Sequence, residues 1–205
     1  IGVRYDHSSE YGSVLNPRLG VIYKPGQERL TFKLLYGTAF RQPGIFELKS
    51  EFRGNENLTP EEIQTFEVEV RSLITPKVNL KANLFYSIVN DFVGKVEDLT
   101  KPALERFENL KGDTFIRGGS LEVDYHLSDV TRLYGNYMFT QGRGEGEGWD
   151  TITQTARSKL NAGINHQMPT RNLNLNLRLN YVGERRAQET NRWIQEHEGE
   201  NAPGY

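Results

Sequence analysis

The sequence predicts an all-β protein whose strands form an antiparallel, up-and-down transmembrane β-barrel, and three observations support this fold class. Apolar and polar residues alternate over runs of about 9 to 12 residues, which is longer than the usual strand of a soluble domain. Tight turns and long polar connections follow each other in turn along the chain. Only 36% of the 205 residues are hydrophobic, and the mean hydropathy is -0.64. A sheet with one face in lipid and the other lining a wet lumen has all three properties.

The alternation predicts nine strands, at about residues 1–7, 17–24, 30–38, 63–74, 78–90, 114–127, 131–141, 156–168 and 172–184. Polar residues fill the positions between the apolar ones, as in the clearest run, LNLNLRLNY, so each strand suits a boundary between two media. From the third strand onwards the apolar faces are Leu30, Phe32, Leu34 and Tyr36; Phe66, Val68, Val70 and Ile74; Val78, Leu80, Ala82, Leu84, Tyr86 and Ile88; Leu121, Val123, Tyr125 and Leu127; Leu133, Gly135, Tyr137 and Phe139; Leu160, Ala162 and Ile164; and Leu173, Leu175, Leu177, Leu179 and Tyr181.

The connections divide by length between two rims. KPGQER, TPK, LSDVT and MPTR are tight turns built from Pro, Gly, Asp and Ser. The others, at about 8–16, 39–62, 91–113, 142–155 and 185–203, are long and polar. In a meander every second connection lies on the same rim, so we expect one rim of turns and one rim of long loops. Outer-membrane barrels have this asymmetry, because a sheet can cross hydrocarbon only with every strand paired.

Composition excludes several classes of protein. A formal net charge of -2 gives no basic stripe, so nucleic acid is not an expected partner. The chain has no cysteine and therefore neither a disulfide framework nor a thiolate metal site. It has no run near the roughly 18 apolar residues of a membrane helix. Because it begins at Ile1, within a strand pattern, we expect a piece of a longer protein.

The barrel interpretation predicts where aromatic and charged side chains lie. We expect interfacial aromatic girdles near strand ends, formed by Tyr23, Tyr36, Tyr86, Tyr137 and Tyr181. We expect lumenal charges that contact a plug, a permeating ligand or one another, namely Lys33, Glu67, Glu69, Arg71, Lys81, Arg117, Glu122 and Arg178.

One stretch carries a family resemblance. YGTAFRQPGIFEL, from residue 36, precedes GNENLTPEEIQTFEVEV, from residue 54. This order resembles TonB-dependent outer-membrane receptors, in which a strand ends in Tyr-Gly-x-x-Phe-Arg-x-Pro and a Gly-Asn-x-Asn-Leu-x-Pro-Glu loop follows. NPRLGVIYKP, NLKANLFYSIVNDFVGKV and IRGGSLEVDY resemble the same family, so the resemblance covers nearly the whole chain. The matching positions are Tyr36, Gly37, Phe40, Arg41, Pro43, Glu47, Leu48, Gly54, Asn55, Asn57, Leu58, Pro60, Glu61 and Glu67.

The resemblance implies a fold, a function and partners. Residues 1–205 would be the C-terminal part of a 22-stranded β-barrel domain, with the plug domain and the terminal strands absent. The whole protein would be an active transport receptor in the outer membrane of a Gram-negative bacterium. Its ligand would be a scarce nutrient, most often an iron–siderophore complex and otherwise cobalamin, haem or a glycan. The other partners would be outer-membrane lipid, the protein's own plug domain and, through the plug, the TonB energising complex. No enzymatic activity and no cofactor are implied.

The loop residues of the motif also have a physical account of their own. Gly54 lacks a Cβ atom, asparagines hydrogen-bond their own backbone, and Pro60 has a fixed φ. We expect this loop to order the rim, with direct ligand contact as the alternative, and Arg41 to pair with Glu47 or with lumenal groups. The candidate site residues are Arg41, Pro43, Glu47, Gly54, Asn55, Asn57, Leu58, Pro60 and Glu61.

Three weaker patterns indicate ordinary loops or no chemistry. GRGEGEGWD, from residue 142, has four glycines but opens no helix and lacks a Lys-Ser/Thr pair, so a flexible loop is favoured over a phosphate site. QEHEGE, from residue 195, could hold a cation through oxygen ligands, although a solvated acidic loop is favoured. The four histidines accompany no nucleophile motif, so we expect neither catalytic nor metal-binding residues.

Two alternatives to a transport barrel stay open. One is a soluble β-sandwich that binds a ligand, although sandwich strands are usually shorter, with turns every 8 to 12 residues or so. The other is an outer-membrane barrel hydrolase with Ser and His on its lipid face.

Overall fold

The computed structural model describes residues 1–8, 12–26, 29–97, 105–146, 148–149 and 155–185. All its strands except β6 and β7 form one antiparallel sheet, in the order β1-β2-β3-β4-β5-β8-β9-β10-β11. In chain order the elements are β1 (Gly2–Ser8), β2 (Gly12–Tyr23), β3 (Leu30–Arg41), α1 (Ile45–Lys49), β4 (Glu61–Thr75), β5 (Val78–Asn90), β6 (Val93–Glu97), β7 (Glu105–Asn109), β8 (Thr114–Ser128), β9 (Thr131–Gly144), β10 (Ser158–Met168), a 3-10 turn (Pro169–Arg171) and β11 (Leu173–Val182).

The sheet confirms the predicted meander of nine strands. Most of its strands are longer than predicted at the long-loop rim, where β3 reaches Arg41 and β9 reaches Gly144. Backbone pairing there continues beyond the apolar alternation, because the hydrogen bonds between strands do not depend on an apolar face. Within the described part of the chain, β1 and β11 are each paired along one edge only.

The predicted long connection at 8–16 is wrong. β2 begins at Gly12, so only residues 9–11, which lie outside the described residues, separate it from β1. Tyr5 pairs with Leu15 and Val3 with Pro17, which continues the cross-strand pattern through the supposed loop. The polar residues Ser13 and Asn16 hid this pattern in the sequence.

The long connections at 39–62 and 91–113 contain structure that was not predicted. The first holds the single helical turn α1, and the second holds a hairpin in which Val93 pairs with Asn109 and Glu97 with Glu105. Both segments are too short to show a clear periodicity of apolar residues. Contacts between the two segments, rather than the local sequence pattern, stabilise their structure.

The two faces of the sheet differ as predicted. Large apolar side chains lie exposed on one face, including Leu34 (54% exposed), Leu84 (67%) and Leu177 (72%). An apolar surface of this extent is unusual on a soluble monomer and suits lipid. Because the nine strands form one sheet rather than two facing sheets, the β-sandwich alternative is wrong.

The opposite face carries the predicted lumenal charges, most of which pair with each other. Glu69 accepts from Lys33 (2.8 Å) and from Arg71 (2.7 Å), and Lys81 Nζ lies 2.9 Å from Glu122 Oε1. These pairs lie on neighbouring strands or two residues apart on one strand, so the barrel wall satisfies many of its own charges.

Arg117 is an exception, and its predicted lumenal position is wrong. It pairs in register with Tyr86 on one side and Gln141 on the other, on the apolar face. Its spacing of four residues from Leu121 puts it on that face, because side chains alternate with a period of two.

The tyrosines predicted to form girdles do not all lie near strand ends. Tyr23 ends β2 and Tyr181 lies one residue from the end of β11, as predicted. Tyr36 and Tyr137 lie near the middle of β3 and β9, contrary to the prediction. Tyr36 instead packs against Phe66 across the sheet, with 4.9 Å between ring centroids.

Helices contribute little to this fold. Among the described residues, no helix has both the length and the apolar content needed to cross a membrane.

Candidate functional site

The segment between β3 and β4, residues 42–60, begins with a helical turn that caps itself. Pro43 precedes the turn, and Gly44 is its N-cap in an extended conformation (φ -71°, ψ 157°). The Gly44 amide donates to Glu47 Oε2 at 2.6 Å. The Glu47 side chain therefore satisfies an amide at the start of the turn that carries it.

Gly54 closes the loop that follows α1, and only glycine fits there. Its amide donates to the Ser50 carbonyl at 2.8 Å. A Cβ atom on Gly54 would lie 2.6 Å from both Ser50 N and Ser50 O, and 2.8 Å from the Leu48 carbonyl. The backbone segments could not approach so closely around any larger residue.

Asn55 joins this loop to the β6–β7 hairpin. Its Oδ1 atom accepts from the Asn57 amide (3.0 Å), which makes a local Asx turn. Its Nδ2 atom donates to the Phe107 carbonyl in β7 (3.0 Å). The same side chain therefore shapes the loop and connects it to a strand about 50 residues away.

Asn109 makes the matching contact from the hairpin side. Its Oδ1 atom accepts from the Thr59 amide (2.9 Å), and its Nδ2 atom donates to the Thr59 carbonyl (3.0 Å) and to the Asp91 carbonyl (2.6 Å). The sequence analysis missed this residue. No local pattern marks it, because its role depends on a partner segment that only the fold brings near.

A small apolar cluster lies between the two segments. Leu58, Val93 and Phe107 are each at least 91% buried and pack together, with Leu48 partly buried against them. The ring of Phe46 meets Phe107 edge-on at a centroid distance of 6.0 Å. We call these segments together, residues 42–60, 93–97 and 105–109, the rim cluster.

An ion pair fixes the rim cluster to the sheet. Arg41 donates from Nε to Glu61 Oε2 (2.6 Å) and from Nη2 to Glu61 Oε1 (2.7 Å), and from Nη1 to Glu47 Oε2 (3.0 Å). Glu61 Oε1 also accepts from the Val93 amide (2.8 Å). One buried carboxylate therefore binds the end of β3 and the start of β6, while Arg41 holds α1.

The electrostatics of the cluster favour a charged Glu47. Burial acts to raise the pKa of the Glu47 carboxyl, but the Gly44 amide and the Arg41 guanidinium outweigh burial, so the pKa lies below its ordinary value. Glu47 therefore stays ionised at neutral pH and remains an acceptor for both partners.

The structure brings most of the candidate residues together. Pro43 precedes α1 and Pro60 precedes β4, where each limits the backbone, and the Asn57 side chain is exposed. Contacts of the network join the other six, Arg41, Glu47, Gly54, Asn55, Leu58 and Glu61.

A second feature is a concavity on the lumenal face, near the rim of short turns. Its volume is about 740 Å³, and both signs of charge line it. Arg132 pairs with Asp124 in its wall, and Arg178 Nε donates to Tyr134 Oη at 3.4 Å. Polar, charged walls of this kind suit water, a polar ligand or a polar protein surface rather than an apolar ligand.

The structure places a serine of β2 beside a histidine of the edge strand β1. His7 Nδ1 lies 2.9 Å from Ser13 Oγ, and Tyr5 Oη lies 2.8 Å from the same oxygen. A nucleophilic serine also needs a group that orients the base and donors for an oxyanion. In the part of the chain that the structure describes, neither His7 nor Ser13 has such a partner. The pair therefore has the contacts of an exposed polar pair between neighbouring strands.

The described residues of the weaker sequence patterns form neither a phosphate-binding turn nor a metal site. Gly142 and Gly144 lie within β9, so the first glycines of GRGEGEGWD belong to a strand rather than to a phosphate-binding turn. No group of three metal-ligating side chains occurs in the part of the chain that the structure describes. QEHEGE, from residue 195, lies outside the described residues.

Solved structures share this fold. The siderophore receptor PirA from Acinetobacter baumannii superimposes with a TM-score of 0.76 at 16% identity, over 99% of this chain and 35% of that chain. The ferric enterobactin receptor PfeA from Pseudomonas aeruginosa, in complex with enterobactin, gives 0.77 at 15% identity, over 99% and 33%. The copper transporter OprC gives 0.70 at 16% identity, over 84% and 26%. The chain thus spans about a quarter to a third of the length of these proteins.

The sequence of the chain was also compared with known protein families. No curated protein matches the sequence. The family described as "TonB dependent receptor-like, beta-barrel" matches residues 1–205. Since this match covers the whole chain and the sheet has the corresponding fold, the chain belongs to the TonB-dependent receptor β-barrel family.

Proposed function

We propose that this chain is part of the barrel wall of an outer-membrane receptor that imports a scarce nutrient, most often an iron–siderophore complex, with energy supplied through TonB. The observation that carries the proposal is the sheet itself. Its outward face exposes leucines such as Leu84 and Leu177, while its inward face carries paired charges such as Lys33 and Glu69. A wall of this kind separates lipid from a polar passage.

In the whole protein these nine strands would be part of a closed barrel of 22 strands. Lipid offers no partner for the open edges of β1 and β11, so further strands must pair with both. A plug domain would occupy the lumen and contact the concavity lined by Arg132 and Arg178, whose polar wall suits a protein surface.

The rim cluster would order the outer mouth of this passage. Arg41, Glu61 and Asn55 use their polar atoms within the cluster. Because these polar atoms are already hydrogen-bonded inside the cluster, a structural role for the three residues is favoured over direct contact with the ligand. Ligand contact would then fall to groups of the loops and lumen whose polar atoms stay available.

Two of the three similar receptors support an iron–siderophore ligand. PirA is a siderophore receptor, and PfeA was solved with enterobactin, whereas OprC is a copper transporter. The distinguishing experiment is uptake by cells that carry the intact gene, with a panel of iron-loaded siderophores, cobalamin, haem and Cu²⁺ in competition.

The expected result is TonB-dependent accumulation of one iron–siderophore class, which its unlabelled form abolishes. Accumulation of Cu²⁺ or cobalamin instead would contradict the assignment of an iron–siderophore ligand, but it would still agree with a TonB-dependent receptor. Accumulation that persists without TonB would contradict the mechanism.

A further inference from the structure

The β10–β11 hairpin carries positive charge without any carboxylate. Residues 158–182 contain no Asp or Glu, but they contain Lys159 and Arg178, which lie on the lumenal face of the two strands. Elsewhere on this face the wall neutralises its own charges. Three carboxylates of β4 and β8 pair there with nearby cations, namely Glu69, Glu122 and Asp124. The lumenal face of the hairpin therefore has a surplus of positive charge.

Three successive rows of side chains on β9, β10 and β11 face the lumen at this hairpin. In register they are Asn136, Asn161 and Asn180; Tyr134, Gly163 and Arg178; and Arg132, Asn165 and Asn176. They alternate along the strands with lipid-facing residues such as Leu177, so they project to the same side of the sheet. Most of them are amides, so the wall offers a series of similar polar groups along the strands.

Arg178 lies in the middle row, and its partners in the described part of the chain are neutral. Its Nε atom donates to Tyr134 Oη at 3.4 Å, and the Asn176 side chain hydrogen-bonds to the same oxygen. No carboxylate among the described residues forms an ion pair with Arg178, in contrast to Arg132, which pairs with Asp124. The Nη donors of Arg178 are therefore available to another partner.

Gly163 allows Tyr134 to reach Arg178 across β10. The two side chains start from strands on opposite sides of β10. A Cβ atom on Gly163 would collide with the Tyr134 ring and would lie 2.9 Å from the Leu177 carbonyl oxygen. Because the ring lies over glycine, its hydroxyl group meets the Nε edge of the guanidinium group. The planar guanidinium is thus held at one edge, and its other edge keeps paired N–H donors.

The neighbouring amides also present donors rather than acceptors. Asn161 Nδ2 donates to Asn136 Oδ1 at 2.8 Å, and Asn165 Nδ2 donates to Asn174 Oδ1 at 2.9 Å. Each pair uses an acceptor oxygen, while the Nδ2 groups of Asn136 and Asn174 have no partner among the described residues. Ionised carboxylates and similar oxyanions only accept hydrogen bonds, so a wall of donors without carboxylates suits them.

We propose that the lumenal wall of β9–β11 guides an anionic, oxygen-rich solute through the barrel, with Arg178 as its strongest contact. This role rests on the import function proposed above and adds to it the charge of the imported solute. A passage needs sites that release a solute as readily as they bind it, and successive amides provide such weak sites. A plug domain in the lumen would meet the same wall, so a carboxylate of the plug is the competing partner of Arg178.

The test measures uptake of iron complexes of different charge by cells that carry the intact gene. We expect import of an anionic complex, with ferric citrate and ferric enterobactin as probes, and no import of neutral ferrichrome or cationic ferrioxamine B. Arg178→Gln should lower the maximal uptake rate of the anionic complex about tenfold, the loss expected for one hydrogen bond to a charged group. Binding of the complex to energy-depleted cells should not change, because Arg178 lies near the middle of β11 and not at the rim of long loops.

Matched variants separate the charge of Arg178 from its position. Arg171→Gln removes the same charge from the turn of the same hairpin and should leave uptake unchanged. Asn180→Asp keeps the side-chain size, adds a carboxylate to the wall and should slow uptake of the anionic complex, even if Arg178→Gln fails to fold. Tyr134→Phe keeps the charge but removes the hydroxyl group that holds the guanidinium, so it should give a smaller loss than Arg178→Gln.

Hydrogen exchange of the plug, measured on the purified receptor without any iron complex, tests the competing partner. If a plug carboxylate pairs with Arg178, Arg178→Gln will speed exchange of the plug amides, and that result would overturn the proposal. Import of only a neutral or cationic nutrient, or equal uptake rates in Arg178→Gln and wild type, would also overturn it but leave the import function standing. A wild type that imports no nutrient at all would overturn both.

Discussion

Glu61→Gln should release the rim cluster from the sheet without unfolding the barrel. The Glu61 side chain is 9% exposed and accepts two hydrogen bonds from Arg41 and one from the Val93 amide. Glutamine keeps the shape and one acceptor, so the Val93 contact can persist while the charge is lost. The change therefore isolates the ion pair.

The expected magnitude follows from the exposure of the two partners. A hydrogen bond to a charged group contributes about 1.5 to 3 kcal/mol when it is buried. Arg41 is 48% exposed, so solvent screens part of this energy. We expect about 2 kcal/mol in total, which corresponds to a roughly 30-fold rise in local opening of the cluster.

Hydrogen exchange of the amides in residues 42–60, 93–97 and 105–109, measured on the intact receptor, reports this opening. The control is Glu56→Gln, which removes the same charge from the exposed Lys49–Glu56 pair, with side chains 64% and 71% exposed. Exchange should change little in the control. Equal protection in Glu61→Gln and wild type, or faster exchange spread over all strands, would refute the role assigned to the ion pair.

Three further changes test other parts of the structure. Leu177→Arg, at the middle of β11 on the lipid face, should cost about 2 to 4 kcal/mol of unfolding free energy in lipid, whereas Asn176→Arg on the lumenal face should cost much less; equal folding yields would contradict the assignment of faces. Gly54→Ala should speed amide exchange in the rim cluster, because its Cβ atom meets the Ser50 backbone at 2.6 Å, and unchanged exchange would count against that contact. The contribution of ionised Glu47 should be complete above the ordinary carboxyl pKa of about 4.3 and disappear as pH falls through its lower folded-state pKa; exchange of the cluster amides followed from pH 6 to pH 3 in wild type and Glu47→Gln should converge only at the acid end.

The strands could be predicted from the sequence because each residue there reports its own environment. Leu177 faces lipid and Asn176 faces the lumen, and the period of two makes this choice visible without knowledge of the partner strand. The same rule would have placed Arg117 correctly, since it lies an even number of residues before Leu121. The wrong assignment came from treating charge alone as a sign of the lumen.

The rim cluster could be predicted only in part. Gly54 and Asn55 carry local signals of a tight loop, and the structure shows the loop contacts that these signals suggest. Asn109 and Phe107 carry none, because their partners Thr59 and Asn55 are about 50 residues away. A contact of that separation is a property of the fold, so composition and spacing could not reveal it.

The arrangement also explains why the polar loop is as long as it is. A tight turn could join β3 to β4, but it would leave Arg41 without Glu47 and the hairpin without its contacts to Asn55 and Thr59. The nineteen or so residues of the loop supply Leu58 to the apolar cluster and the Thr59 backbone to Asn109, so two loops that are separate in sequence become one unit. Loss of either loop should therefore loosen the other, and the effects of Glu61→Gln and of an Asn109→Ala variant on exchange should not add, because both variants open the same unit. Strictly additive effects would show instead that each loop is ordered independently.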